Sequence, residues 1–141
     1  MNFLHARYQA VGKISNDDLL YTLSLLALEP SHWIQKYEWR CLTELELCAC
    51  GTLWKSIGDA MNISYGNLKS GEWEDGLQWL REIEDWSDIY QKSYMVSAAT
   101  NKQLAGCYLE ILLINVPPRF LGPWKKLMSV LLGERLRKAL K

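Results

Sequence analysis

The stretch WEDGLQWLREIEDWSDIY, residues 73–90, decides the fold. Its apolar and aromatic positions Trp73, Leu77, Leu80, Ile83, Trp86 and Tyr90 recur at intervals of three and four, the spacing that stacks side chains on one face of a helix. Glu82, Glu84, Asp85 and Asp88 fall outside that stripe and read as a solvated face. The pattern predicts an amphipathic helix over about 72–92 with one side committed to a core.

Working upstream, NISYGNLKSGEW (62–73) holds two glycines, two asparagines and two serines and reads as a loop that can serve as a lid. Before it, Thr43-x-x-Glu46 has the form of a capping box opening a long helix. Cys50, Leu53, Trp54, Ile57 and Met61 would form its core stripe. Earlier still, SNDD (15–18) supplies a cap at Ser15 or Asn16 and two acids for the first turn of a helix over about 17–28. That helix is apolar nearly all round, which implies burial on more than one side. Pro30 is expected to end it, and Ser31 to cap a second, shorter helix carrying His32, Trp33, Ile34, Tyr37 and Trp39.

Downstream, Thr100 is expected to cap a helix bearing Leu104, Cys107, Tyr108, Ile111 and Leu112, stopped by Pro117 and Pro118. Gly122-Pro123 then opens a last helix with Trp124, Leu127, Met128 and Leu131 on one face and the basic ending ERLRKALK. No period-two run or hairpin signal occurs. The chain therefore reads as all-α, a single helical domain of about six or seven helices.

Lys plus Arg equals Asp plus Glu at 16 each, so the chain as a whole has no excess positive field for a phosphate backbone, and nucleic acid is not expected as a partner. Cys41, Cys48, Cys50 and Cys107 contain no Cys-x-x-Cys pair and read as reduced, mostly buried thiols rather than zinc ligands. The longest greasy run, LEILLINV (109–116), is too short to span a membrane, so the chain as written reads as cytoplasmic. Seven Trp and seven Tyr beside two Phe are the one compositional anomaly, and at helical spacing they are first of all core, with an apolar ligand pocket as the secondary reading.

Phosphate loops, zinc-protease helices and nucleophile elbows are missing, and no Glu-x-x-His pair for a di-iron bundle is expected. The chain has two histidines. His5, in FLHARY, is either a packed side chain or a ligand, and His32, in SHW beside Pro30, has the blander reading of a residue near a helix start.

The strings MNFLHARYQAVGKISNDDLLYTLSLLALEPSHWIQKYEWR, GTLWKSIGDAMNISY, DGLQWLREIEDWS and YMVSAATN resemble fungal members of one oxygenase family. It comprises the endoplasmic-reticulum-bound oxygenase of mycophenolic acid biosynthesis and the bacterial rubber oxygenase, or latex-clearing protein. The likeness runs over nearly the whole chain. It implies a globin-like helical core that binds haem b and uses dioxygen to cleave carbon–carbon double bonds of isoprenoid or other unsaturated lipid chains. The substrate would be an apolar small molecule.

By that resemblance Leu4-His5-Ala6-Arg7 matches the family's Leu-His segment, which makes His5 the proximal iron ligand and places Arg7 at the cofactor. Leu19, Leu20, Leu23 and Leu26 would offer an apolar wall to the macrocycle, a plain core role being the other reading. The family's distal Arg-x-x-x-Thr helix and its fungal membrane anchor precede the point where Met1 falls. Residues 1–141 are thus expected to be part of a catalytic domain that lacks its N-terminal portion, as a truncated or short member or a catalytically dead remnant. An upstream anchor would move the protein to the endoplasmic-reticulum membrane. Apolar surface left uncovered would favour self-association.

Overall fold

A computed structural model of the chain describes residues 2–131 and 134–139. They form seven α-helices and one short 3-10 turn, with no strand among the described residues, so the all-α reading holds. The chain divides into two compact units, residues 1–90 and 91–141.

The first unit holds α1 (Asn2–Ala10), α2 (Asn16–Tyr37), α3 (Glu44–Ala60) and most of α4 (Gly76–Tyr94). Two capping boxes start its central helices, the one at Thr43 as the sequence predicts and the other at Ser15, where the sequence leaves Ser15 or Asn16 as the cap. The Ser15 hydroxyl accepts from the Asp18 amide while Asp18 accepts from the Ser15 amide, and Thr43 and Glu46 exchange the same pair of bonds. Each satisfies amides that the first turn of a helix leaves without partners.

Pro30 does not end α2. The ring removes one hydrogen bond, the one its missing N–H would give to the Leu26 carbonyl, and costs about 3 kcal/mol in a helix interior. Packing on both sides offsets this: Ala27 and Leu28 are buried before it, and Trp33 and Tyr37 pack ring against ring 4.8 Å apart after it. Ser31 is accordingly not a cap, because its hydroxyl donates back to the Leu28 carbonyl at 2.7 Å.

The core is built from Leu19, Leu20, Leu23, Ala27 and Leu28 of α2, Trp79, Leu80 and Ile83 of α4, and Ile63 and Leu68 from the connection between α3 and α4. The α3 stripe is only partly as expected. Trp54, Ile57 and Met61 pack against this core, but Leu53 is 55% exposed, and the fully buried positions of α3 are Gly51 and Gly58. A methyl at Gly51 would run into the Gly76 carbonyl, so Gly51 and Gly76 let the start of α4 lie against the backbone of α3, whereas Gly58 leaves room for the Tyr65 hydroxyl and the Leu23 side chain.

The connection over 62–75 is a clasp rather than a lid. Asn62 adopts a left-handed φ of 57°, and the amides of Asn62 and Ile63 close back on the carbonyls of Asp59 and Gly58, the pattern that terminates a helix and turns Ile63 into the core. Asn16 and Ser64 exchange two bonds of 2.8 Å. Glu82, expected on the solvated face, reaches back to accept from the Trp73 indole at 2.6 Å and the Ser70 amide at 2.7 Å. Burial pushes its carboxyl pKa up, but the donors outweigh burial and the net shift is downward.

The capping carboxylates make the first unit acid-sensitive. The Tyr90 hydroxyl, donating at 2.6 Å, is the main reason Asp18 lies below the usual carboxylate range, with Ser15 adding to it. Arg40, in a bidentate pair with Glu46, holds that carboxyl at about 2. Both pKa values are depressed on folding, so this stabilisation is present above the unfolded values of about 4 and is lost as pH falls through the folded ones. The melting midpoint should be flat near neutrality and drop between about pH 4.5 and 2, less steeply in Asp18→Asn. An acid profile identical in that variant would show that the box contributes nothing.

The second unit contains α5 (Ala99–Leu112), the turn η1 (Pro118–Phe120), α6 (Leu121–Leu131) and α7 (Glu134–Ala139). Thr100 lies inside α5 rather than capping it. The N-cap is Ala98, without a side-chain bond, and Asn101 ties the start down by donating to the Val96 carbonyl at 3.0 Å. The last helix expected from sequence is two helices, and residues 132–133 between them lie outside the described residues. Leu113 and Ala139 are the buried apolar residues of this unit among those described.

Candidate functional site

His5 sits on α1, a helix missed in the sequence because its apolar residues follow no stripe. The helix is held at its start by Asn2, whose amide donates to the Ala60 carbonyl at 2.7 Å. It is closed at its end by Gly12, at φ 68°, with the amides of Gly12 and Lys13 returning to the carbonyls of Gln9 and Tyr8. Asn2 and His5 are three apart and share a helix face, so the imidazole lies on the side where α1 meets the end of α3. The ring is half-buried, and its Nδ1 is shielded from solvent with no hydrogen-bond partner among the described residues.

A shielded ring nitrogen without a partner costs free energy and calls for a ligand. An imidazole nitrogen is also a good donor to haem iron. On this observation His5 fits the donor role. Arg7 is two positions on, which on a helix turns it about 200° away from His5, and it is exposed.

Leu19, Leu20 and Leu23 are 9%, 0% and 3% exposed and pack with Trp79, Leu80 and Ile83. Their apolar surface is taken up by the chain's own core. Leu26, on the other side of α2, is 50% exposed.

His32 has partners. Its Nε2 lies 3.1 Å from Glu84 Oε1 across to α4, and its Nδ1 lies 3.8 Å from Glu29 Oε1 one turn back. Glu29-Pro-Ser-His32 is a Glu-x-x-His pair where none was expected, and its two ends share one helix face because α2 continues through Pro30. The pair borders a cleft of about 260 Å³ with an apolar floor of Leu28, Leu47 and Leu80 and with Arg81 and Cys41 on its rim. No group of three or more His, Cys, Asp or Glu able to hold a metal ion occurs among the described residues.

The cysteines are free but less buried than expected, Cys41 and Cys107 being exposed and Cys48 and Cys50 half-buried. The tryptophans divide as well. Trp79 is wholly buried, whereas Trp39 is 88% exposed with the Arg40 guanidinium 5.7 Å over its ring. No described helix is long and apolar enough to cross a membrane.

No family model and no solved structure matches the chain. Curated proteins do. The chain is 46% identical over 98% of its length to the ER-bound oxygenase mpaB' of Penicillium brevicompactum, of which the match covers 33%. The mpaB protein of Penicillium roqueforti is 46% identical over 98% of this chain and 47% of its own length. The mpaB protein of Penicillium brevicompactum is 46% identical over 94% of this chain and 34% of its own. The chain thus spans between a third and a half of the length of these relatives. Its sequence makes it, across nearly all of its length, a relative of the ER-bound oxygenases of Penicillium, matching a part of each.

Proposed function

We propose that this chain is part of the catalytic domain of a haem-dependent oxygenase that cleaves a carbon–carbon double bond of an isoprenoid or unsaturated lipid chain with dioxygen. The observation that carries the reading is the 46% identity, over 98% of the chain, to proteins named oxygenases. The shielded, unpartnered Nδ1 of His5 supports a ligand at that residue. Haem b, when bound, supplies the iron at which dioxygen is activated.

In this proposal His5 would supply an imidazole to the iron, with α1 tied at its start to the end of α3 by the bond from Asn2 to the Ala60 carbonyl. Arg7 suits a propionate by charge but, lying on the other face of α1, needs a group that reaches around the helix. Leu19, Leu20 and Leu23 would reach a ring only by leaving the core, so the proposal rests on His5. The relatives are named ER-bound, and endoplasmic-reticulum association is proposed for the protein to which this sequence belongs.

The second reading is a non-catalytic helical remnant that holds haem, an apolar ligand or a partner helix. It is favoured by exposed apolar residues on α1, where Phe3 and Leu4 are 79% and 58% exposed. Self-association through such residues belongs to either reading.

Titration with hemin followed at the Soret band, then incubation with dioxygen and a polyprenyl chain, separates them. Oxygenase activity requires a Soret band and paired carbonyl-ended fragments, one double bond and one dioxygen giving two carbonyls. A band without fragments leaves the remnant reading, and no haem uptake removes haem dependence.

A further inference from the structure

The zero net charge of the chain conceals a division. Residues 1–90 carry seven Lys and Arg against fourteen Asp and Glu, a net charge of seven negative, whereas residues 91–141 carry nine against two, seven positive. Averaging over the whole chain removed the strongest electrostatic signal in the sequence, and the boundary between the two compact units restores it.

The basic unit also carries apolar side chains outward. On α5, Leu104, Tyr108 and Ile111 are 67%, 70% and 67% exposed at a spacing of four and three, which puts them on one face. On α6, Trp124 and Leu127 are exposed three apart, while Lys125 and Lys126 project from the rest of the helix circumference. Arg119 lies 4.8 Å over the ring of the exposed Phe120 at the start of that helix.

Excess cationic charge together with exposed apolar side chains and an interfacial Trp is the composition of a surface that lies in a membrane interface. Nucleic acid would use the charge and the rings of Tyr108, Phe120 and Trp124, but it has no use for the exposed aliphatic Leu104, Ile111 and Leu127. A lipid surface uses both: headgroups meet the lysines, and the upper acyl region takes Leu and Trp.

We infer that residues 91–141 form a peripheral lipid-binding surface for membranes carrying anionic headgroups, in which Arg119, Lys125 and Lys126 meet the headgroups and Trp124 and Leu127 enter the interface. This goes beyond the oxygenase reading and stands whether or not the chain binds haem.

The test is co-sedimentation of the full chain with vesicles of phosphatidylcholine alone or mixed with phosphatidylserine. Binding is expected to the mixed vesicles only, and to weaken with salt because exposed charges are screened. Each lysine neutralised near an anionic surface should weaken partitioning about fivefold, so the double variant Lys125→Gln, Lys126→Gln should bind roughly 25-fold more weakly. Trp124→Ala should weaken binding while leaving its salt dependence intact. All three side chains are exposed, and an unchanged helical circular dichroism spectrum would establish that the variants fold.

Absence of binding, equal binding to neutral vesicles, or full affinity in the lysine variant would each overturn the inference. So would tighter binding of a single-stranded oligonucleotide that displaces the vesicles. A lysine-dependent dimer that ignores vesicles would assign the same surface to the acidic unit of a second copy instead.

Discussion

Replacing Trp79 with Ala is expected to destabilise the first unit by about 3–5 kcal/mol, as much as many small domains possess. Trp79 is wholly buried at the junction of α2, α4 and the clasp, its ring 6.1 Å edge-on from Tyr65 and packed with Leu20 and Ile83. Truncation removes the largest side chain of that core and leaves a cavity in a place where the clasp and two helices meet. Its indole nitrogen has no hydrogen-bond partner among the described residues, so part of the benefit of burying the ring is offset by a desolvated donor. Trp79→Phe, which removes that donor and keeps most of the aromatic volume, should therefore cost far less than Ala. Leu80→Ala, one position on and 5% exposed, should cost roughly 2–5 kcal/mol. Urea denaturation followed by circular dichroism reads all three, and a change under about half a kcal/mol for Trp79→Ala would mean that α4 does not bury this face.

His5→Ala is expected to abolish haem uptake in any form of the protein that binds it. Iron–imidazole bonding is the one covalent tie between ring and chain in this proposal, and the remaining candidates are poorer. The His32 imidazole has its Nε2 3.1 Å from Glu84, so binding iron there would break a cross-helix contact. Cysteine thiolate is a chemical alternative, and Cys41 and Cys107 are exposed enough to act. Comparing His5→Ala with His32→Ala and with a variant whose four cysteines are serine decides the matter. Loss of the Soret band in the first alone supports His5. A normal haem spectrum in His5→Ala would remove the assignment, and loss in the cysteine variant would move the ligand to sulfur. Because Nδ1 is unpartnered in the chain as it stands, His5→Ala should also leave folding stability little changed, which separates a ligand from a structural histidine.

Amino-acid order by itself determined where α2 and α3 begin, because capping is local chemistry. Ser15 and Asp18, and Thr43 and Glu46, are three apart and find each other in any helix that starts there. The period of three and four over 73–90 likewise determined that α4 is a helix with one buried side. Only tertiary structure decided which residues of that side lie deepest. Trp79 adjoins Leu80 in sequence and fell outside a one-stripe reading, yet α4 is covered from two directions, by α2 and by the clasp, so a wider arc of it is buried. Pro30 is the converse case: locally it breaks a helix, and only the packing of Leu28 before it and of Trp33 and Tyr37 after it carries α2 through. Gly51 and Gly76 lie 25 residues apart and gain their meaning from the approach of two backbones, which no local pattern encodes. The charge division needed both levels, since every charged residue is visible in the sequence but the boundary near Tyr90 that separates acid from base comes from which segments pack together. For His5, the sequence supplied a resemblance and the fold supplied a shielded nitrogen with no partner, because whether a ring atom is satisfied depends on neighbours that the chain brings from elsewhere.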